Sequence, residues 1–117
     1  MRQTHWILGA MLLTGTLGAQ AFMSDCEAPG DSPGVPDGSG ASEAEMATAG
    51  QEVRGFVEST QAYLSCLEAR EAEMTEEMSD EQRAEVVQTY NAAVEEMQAV
   101  ADNFNEQVRQ YHEQMED

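Results

Sequence analysis

The chain contains no lysine, and its five basic residues are all arginine, set against 23 acids. Its formal charge is −18 at neutral pH. Nucleic acid and anionic lipid are held through lysine and arginine, so a field of this sign repels both. Histidine is almost as scarce: beyond the first few residues only His112 occurs, one turn from the C-terminus. Structural zinc needs clustered His and Cys, and no such spacing is present. Nucleophilic hydrolysis lacks a serine in an elbow setting, and no glycine-rich phosphate loop follows a strand pattern. Proline is confined to Pro29, Pro33 and Pro36, so nothing beyond residue 36 interrupts a helix by that route. No catalytic residue, no metal and no cofactor is expected, and the chain reads as non-enzymatic.

Long apolar runs are also missing, except at the N-terminus. Arg2 stands before the run Trp6 to Leu17, and Ala19-Gln20-Ala21 places small residues where a signal peptidase reads. The run has roughly 12 residues where a membrane span needs about 20. Residues 1–21 are therefore expected to be an export signal, with an uncleaved anchor as the alternative. Met23-Ser24-Asp25 before Cys26 lacks the small-residue approach of a lipid-attachment site. Removing residues 1–21 takes one arginine and no acid, which moves the formal charge from −18 to −19. The expected location is the periplasm or the medium, without stable membrane insertion after cleavage.

Two cysteines follow that segment, Cys26 and Cys66. In an oxidising compartment such a pair reads as a disulfide, with an intermolecular bridge as the alternative. Residues 22–41, which include Cys26, read as an extended arm. Pro29, Pro33 and Pro36 are spaced by glycines and small polar residues, which favours polyproline-II backbone, and Pro36-Asp37-Gly38 reads as a turn. Cys66 should lie about 36 Å along a helix starting at Ser42. The arm from Cys26 to Ala41 spans at most about 50 Å when extended. It can therefore fold back along the helix to Cys66, with Pro29, Pro33, Val35 and Pro36 over part of the apolar groove.

The remainder is helical by period. Ser42-Glu43-Ala44-Glu45 has the form of a capping box. Behind it a three-four stripe runs through Met46, Ala49, Val53, Phe56, Thr60, Tyr63, Leu67, Arg70 and Met74, widened by Val57 and Leu64. Ser79-Asp80-Glu81-Gln82 has the form of a second box. A stronger stripe follows: Val87, Tyr90, Val94, Met97, Ala101, Phe104, Val108 and Tyr111, flanked by Val86 and Val100. Helices are expected over about 43–76 and 80–113, with residues 114–117 frayed. The expected fold is all-α: an antiparallel, coiled-coil-like two-helix hairpin over 42–113, with the extended arm tethered by the disulfide. A single bent helix through 76–79 is the alternative, since no Gly or Pro marks the turn. The expected helix interface is Val53, Phe56, Tyr63, Leu67, Tyr90, Val94, Met97, Phe104, Val108 and Tyr111.

Glu71, Glu73, Glu76, Glu77, Asp80 and Glu81 would crowd the hairpin tip. Such carboxylates can collect a hard cation, but the alternating ligands and central glycine of an EF-hand loop are missing, and the cluster reads as a solvated tip. The words Cys26-x-x-Pro29, Val35-Pro36-Asp37-Gly38, Glu45-Met46, Tyr63-Leu64-Ser65-Cys66-Leu67, Tyr90-Asn91-Ala92-Ala93-Val94, Phe104-Asn105 and Arg109-x-Tyr111 resemble a group of small exported proteobacterial proteins whose function is unassigned. That resemblance implies a periplasmic location and paired cysteines, and no catalytic residues.

The functional expectation is an interaction or structural module of the cell envelope, whose partner is a second copy of the chain or a basic envelope protein. Alternatives are a holdase-like chaperone, a binder of basic peptides, or a divalent-cation binder. If Cys26 and Cys66 are bridged, the closed loop of about 40 residues is worth roughly 4 kcal/mol in the chain-entropy account. Cys66→Ser should then lower the melting temperature clearly, and an unchanged transition in thermal circular dichroism would exclude a structural staple.

Overall fold

The computed structural model describes residues 25–116. The expected export signal lies outside them. Two helices make up the described chain, α1 (Glu43–Glu73, 31 residues) and α2 (Asp80–Glu116, 37 residues), and no strand occurs among the described residues. Residues 25–42 form the arm that precedes α1.

Local chemistry explains most of the boundaries. Ser42 caps α1 with extended backbone (φ −82°, ψ 163°), and its Oγ accepts from the Glu45 backbone N–H at 3.1 Å. Glu43 and Glu45 add negative charge at the positive helix end. At α2 the box is reciprocal: the Gln82 N–H donates to Ser79 Oγ at 3.1 Å, and the Ser79 N–H donates to Gln82 Oε1 at 2.9 Å.

Helix α1 ends at Glu73, three residues before the expected 76. The Thr75 hydroxyl donates to the Glu71 carbonyl at 2.8 Å, and the Met74 N–H is shared between the Arg70 and Glu71 carbonyls. These bonds close the helix end without a glycine. Four glutamates, Glu71, Glu73, Glu76 and Glu77, would also load the negative end of a longer helix. The Arg83 guanidinium donates to the Thr75 carbonyl at 2.8 Å and ties the turn to α2. There is therefore no single bent helix.

At the other end, residues 114–116 are helical, not frayed. Arg109 pairs with Glu106 and Glu113 one turn to either side. The Gln114 amide, turned with its nitrogen toward the arm, donates to the Ser39 and Gly38 carbonyls at 2.6 and 3.1 Å.

The helices pack antiparallel. Early α1 meets late α2 where a Cβ on Gly50 would stand 3.2 Å from the Phe104 ring, and late α1 meets early α2 where the Tyr90 hydroxyl donates to Glu68 Oε1 at 2.7 Å. On α1 the buried face is Met46, Ala49, Val53, Phe56, Thr60, Tyr63, Leu64 and Leu67. Thr60 is polar and wholly buried; its hydroxyl donates to the Phe56 carbonyl at 2.8 Å, so no donor is stranded.

On α2 the seam differs by one position from the stripe that begins at Val87. Val86 (1% exposed) and Val100 (8%) are the buried residues, while Val87 is 46% exposed. Val86 packs with Met74 and Met78, Ala93 with Tyr63 and Leu67, and Val100 with Val53 and Phe56. Val86, Tyr90, Ala93, Met97, Val100, Phe104, Gln107 and Tyr111 form an unbroken four-three repeat, the 3.5-residue period that keeps one helix in register along another. Both candidate stripes share Tyr90, Met97, Phe104 and Tyr111. They differ only in whether Val86, Ala93, Val100 and Gln107, or Val87, Val94, Ala101 and Val108, complete the seam.

The arm turns at residues 37–40. Asp37 Oδ1 accepts from the Ser39 N–H (3.0 Å) and hydroxyl (2.7 Å), and the Gly40 N–H donates to the Asp37 carbonyl at 3.1 Å. Gly38 is buried, and its N–H donates to Gln107 Oε1 at 2.9 Å. Its φ is not positive. Glycine is required here for approach: a Cβ would fall 1.8 Å from the Gln107 carbonyl oxygen, a backbone atom that cannot rotate away. Gly38→Ala should therefore lift the turn off α2 and destabilise the fold by about 2 kcal/mol. Thermal or urea unfolding measures this, with Gly40→Ala, which meets nothing within 4 Å, as the near-neutral comparison.

Candidate interaction surface

The Cys26–Cys66 bond is the covalent feature of the surface. The cysteines are 40 residues apart in sequence and their Cα atoms lie 5.7 Å apart, an ordinary separation for a bridge. Cys26 is 4% exposed and packs with Tyr63 and Leu67, backed by Tyr90 and Ala93. A disulfide of this kind belongs to an oxidising, non-cytoplasmic environment. No described helix is long and apolar enough to cross a membrane.

From Cys26 the arm runs back along one groove of the hairpin. Pro29 and Gly30 stand beside Ser59, Ala62 and Tyr63 around a cavity of about 280 Å³. Val35 packs on the cluster of Val53, Phe56 and Val100, and Pro36 lies beside Thr48, Ala49 and Glu52. Gly38 then meets Gln107. An exposed Asp25–Arg70 pair at 3.9 Å stands at the start of this path and adds little.

All ten interface positions expected from sequence are at least half-buried, but they do not share one environment. Val53, Phe56, Tyr63 and Leu67 are core. Tyr90, Met97 and Phe104 pack against that core from α2. Tyr111 lies at the end of the seam, its ring 5.8 Å from that of His112. Val94 and Val108 stand one position beyond the seam, half-buried. Val86, Ala93, Val100 and Gln107 complete the seam in the alternative register; Val86 and Val100 stand in the sequence as flanking residues, and only the four-three spacing hints at Ala93 and Gln107.

Electrostatics mark three places. The Asp37 carboxyl is held below its ordinary value by hydrogen bonds from Ser39. Glu106 is lowered by its bond from Arg109, and Arg109 is raised in turn by Glu106. The Tyr90 phenol is raised above 10.0, first because it donates to Glu68, then through desolvation and the Glu68 charge. Tyr90 lines an open cleft of about 230 Å³ with Val86, Val87, Glu68 and Glu71. Among the described residues no group of three or more His, Cys, Asp or Glu side chains is placed to hold a metal ion, the tip acids included. Compared with protein-family models, curated proteins and solved structures, the chain matches none of them.

The Tyr90 bond has a signed consequence. A raised phenol contributes stability that is present below the ordinary tyrosine range and lost as pH rises through the raised value. Tyrosinate absorbance should show Tyr90 titrating above the ordinary tyrosine value. Glu68→Ala should move that transition down toward the ordinary value, and an unmoved titration would exclude the bond in solution.

Proposed function

We propose that this chain is a non-enzymatic protein of the cell envelope, exported to the periplasm or the medium, that acts as a helical interaction module. The observation that carries this reading is the Cys26–Cys66 bond, which holds the arm in one groove and makes a stiff element of a hairpin too thin to be stable by apolar burial alone. Its support on compartment comes from the disulfide together with the export-type N-terminal segment, and the resemblance to small exported proteobacterial proteins belongs to the same proposal. The surplus of acid keeps such an element soluble and away from anionic lipid and nucleic acid.

A second reading, a binder of basic peptides, is favoured by the cleft at Tyr90. There Val86 and Val87 offer apolar wall and Glu68 and Glu71 offer carboxylates, the two halves of a site for an arginine or lysine side chain.

Intact mass spectrometry on the full chain expressed in a Gram-negative host tests compartment and crosslink together. The expected product is periplasmic, begins at Phe22, and is two hydrogens lighter than its reduced form. A cytoplasmic product that keeps Met1 and two free thiols would overturn the proposal.

A further inference from the structure

The hairpin has two grooves, and the arm fills one. It touches α1 at Thr48, Glu52, Ser59, Ala62 and Cys66, the side that precedes the seam. On α2 it touches Gln107 and Gln114. The positions that follow the seam lie on the opposite side, and on both helices they recur every seven residues: Gly50, Val57, Leu64 and Glu71 on α1, Val87, Val94, Ala101 and Val108 on α2. The cleft at Tyr90, which joins Glu71 to Val87, shows that these two rows border one groove. The antiparallel register aligns them in four layers. Val87 is 46% exposed, and Val57, Val94, Ala101 and Val108 are half-buried. Three of these layers are apolar, with Leu64 already buried against the hairpin, and the fourth sets Glu71 beside Val87; apolar side chains not needed for the seam call for a reason.

Charge supplies one. The next positions outward are Arg54 and Gln61 on α1 and Asn91, Gln98, Asn105 and His112 on α2. None is acidic, in a chain with 23 acids. Only Glu68 and Glu71, near the tip, bring carboxylates to this face. A basic partner would gain most on the acidic outer faces. A largely apolar stripe with few acids is what a chain of charge −18 needs in order to meet another molecule of the same charge.

The face is also self-complementary. A two-fold axis lying across both helices, near Gln61 and Gln98, sets Val57 against Leu64 of the second copy and Val94 against its Ala101. The same axis sets Arg54 against Glu68 of the second copy, because Gln61 is seven residues from each. A two-fold axis along the helices would instead gather four carboxylates at the tip. The stripe covers about 32 Å of helix at two helix widths. That is on the order of 600 Å² per partner, at the lower edge of stable specific interfaces.

We infer that the groove opposite the arm is a homodimer interface in which two hairpins pack antiparallel, face to face, with Arg54 of each copy paired to Glu68 of the other. This deepens the interaction-module reading and rests on it. The pairing closes the open groove as a four-helix bundle closes, without covering the acidic faces.

Sedimentation equilibrium of the oxidised chain tests it. The expected result is a reversible dimer that tightens with salt, because screening relieves repulsion between the acidic faces. Val94→Glu should weaken association by at least about tenfold, with the circular dichroism spectrum kept, since Val94 lies off the seam. Gln88→Glu adds the same charge on the outer face and should leave association unchanged. Arg54→Glu should weaken the dimer similarly, and Arg54→Glu with Glu68→Arg should restore it. Within one chain these residues are about 21 Å apart along α1, so the rescue can arise only between copies.

A monomer at all concentrations and salts, a dimer indifferent to Val94→Glu, or a charge swap without recovery would each overturn the inference. A monomer that binds an oligo-arginine peptide would overturn it while keeping the broader reading. A cytoplasmic, reduced chain would sink that reading whatever the oligomeric state.

Discussion

The Cys26–Cys66 bond holds residues 26–41 against the helices, and most of the molecule's order depends on that constraint. Two antiparallel helices make one seam and leave two grooves. Without a third layer, Val53, Phe56, Tyr63 and Val100 would face water along one side. The arm has no regular hydrogen bonding of its own to hold it there. Its attachments are the disulfide at one end, Val35 in the middle, and Gly38 with Ser39 at the other. The bond acts mainly on the unfolded chain, by removing states in which the arm roams free. Pro29, Pro33 and Pro36 act in the same direction by stiffening the segment before it docks.

The same constraint organises the electrostatics. With one groove filled by the arm, most acids of both helices lie on the outer faces and near the tip. Local exceptions are Glu68 and Asp37, which accept hydrogen bonds from Tyr90 and Ser39, and the ion pairs of Arg70 with Asp25 and Glu73 and of Arg109 with Glu106 and Glu113. Elsewhere the negative charge is solvated, and it limits what the protein can approach. A face almost free of acid, on the side away from the arm, is therefore more informative about partners than the total charge is.

Much of the fold was legible in the residues. Ser42 and Ser79 announced both helix starts, because an N-cap needs a short side-chain acceptor at one defined place. The α1 seam was legible, since Val57 and Leu64, the apolar neighbours of Phe56 and Tyr63, widen its stripe without replacing it. The α2 seam was not. Val86 and Val87, Ala93 and Val94, and Val100 and Ala101 are adjacent apolar pairs, and a three-four stripe can be drawn through either member of each. The α1 terminus was also hidden, because Thr75 ends the helix through a hydroxyl bond to Glu71 that no glycine or proline advertises.

Composition and periodicity by themselves determined that the chain is helical, that its surface is strongly negative, that its two cysteines are the available crosslink, and that an extended arm precedes the hairpin. These are one-dimensional properties: charge adds along the chain, and helical period is local. Only the tertiary structure decided which groove the arm fills, which member of each valine or alanine pair is buried, and why Gly38 is glycine. Each of those depends on the distance between segments remote in sequence. Gly38 and Gln107, 69 residues apart, come close enough that a single methyl group has no room.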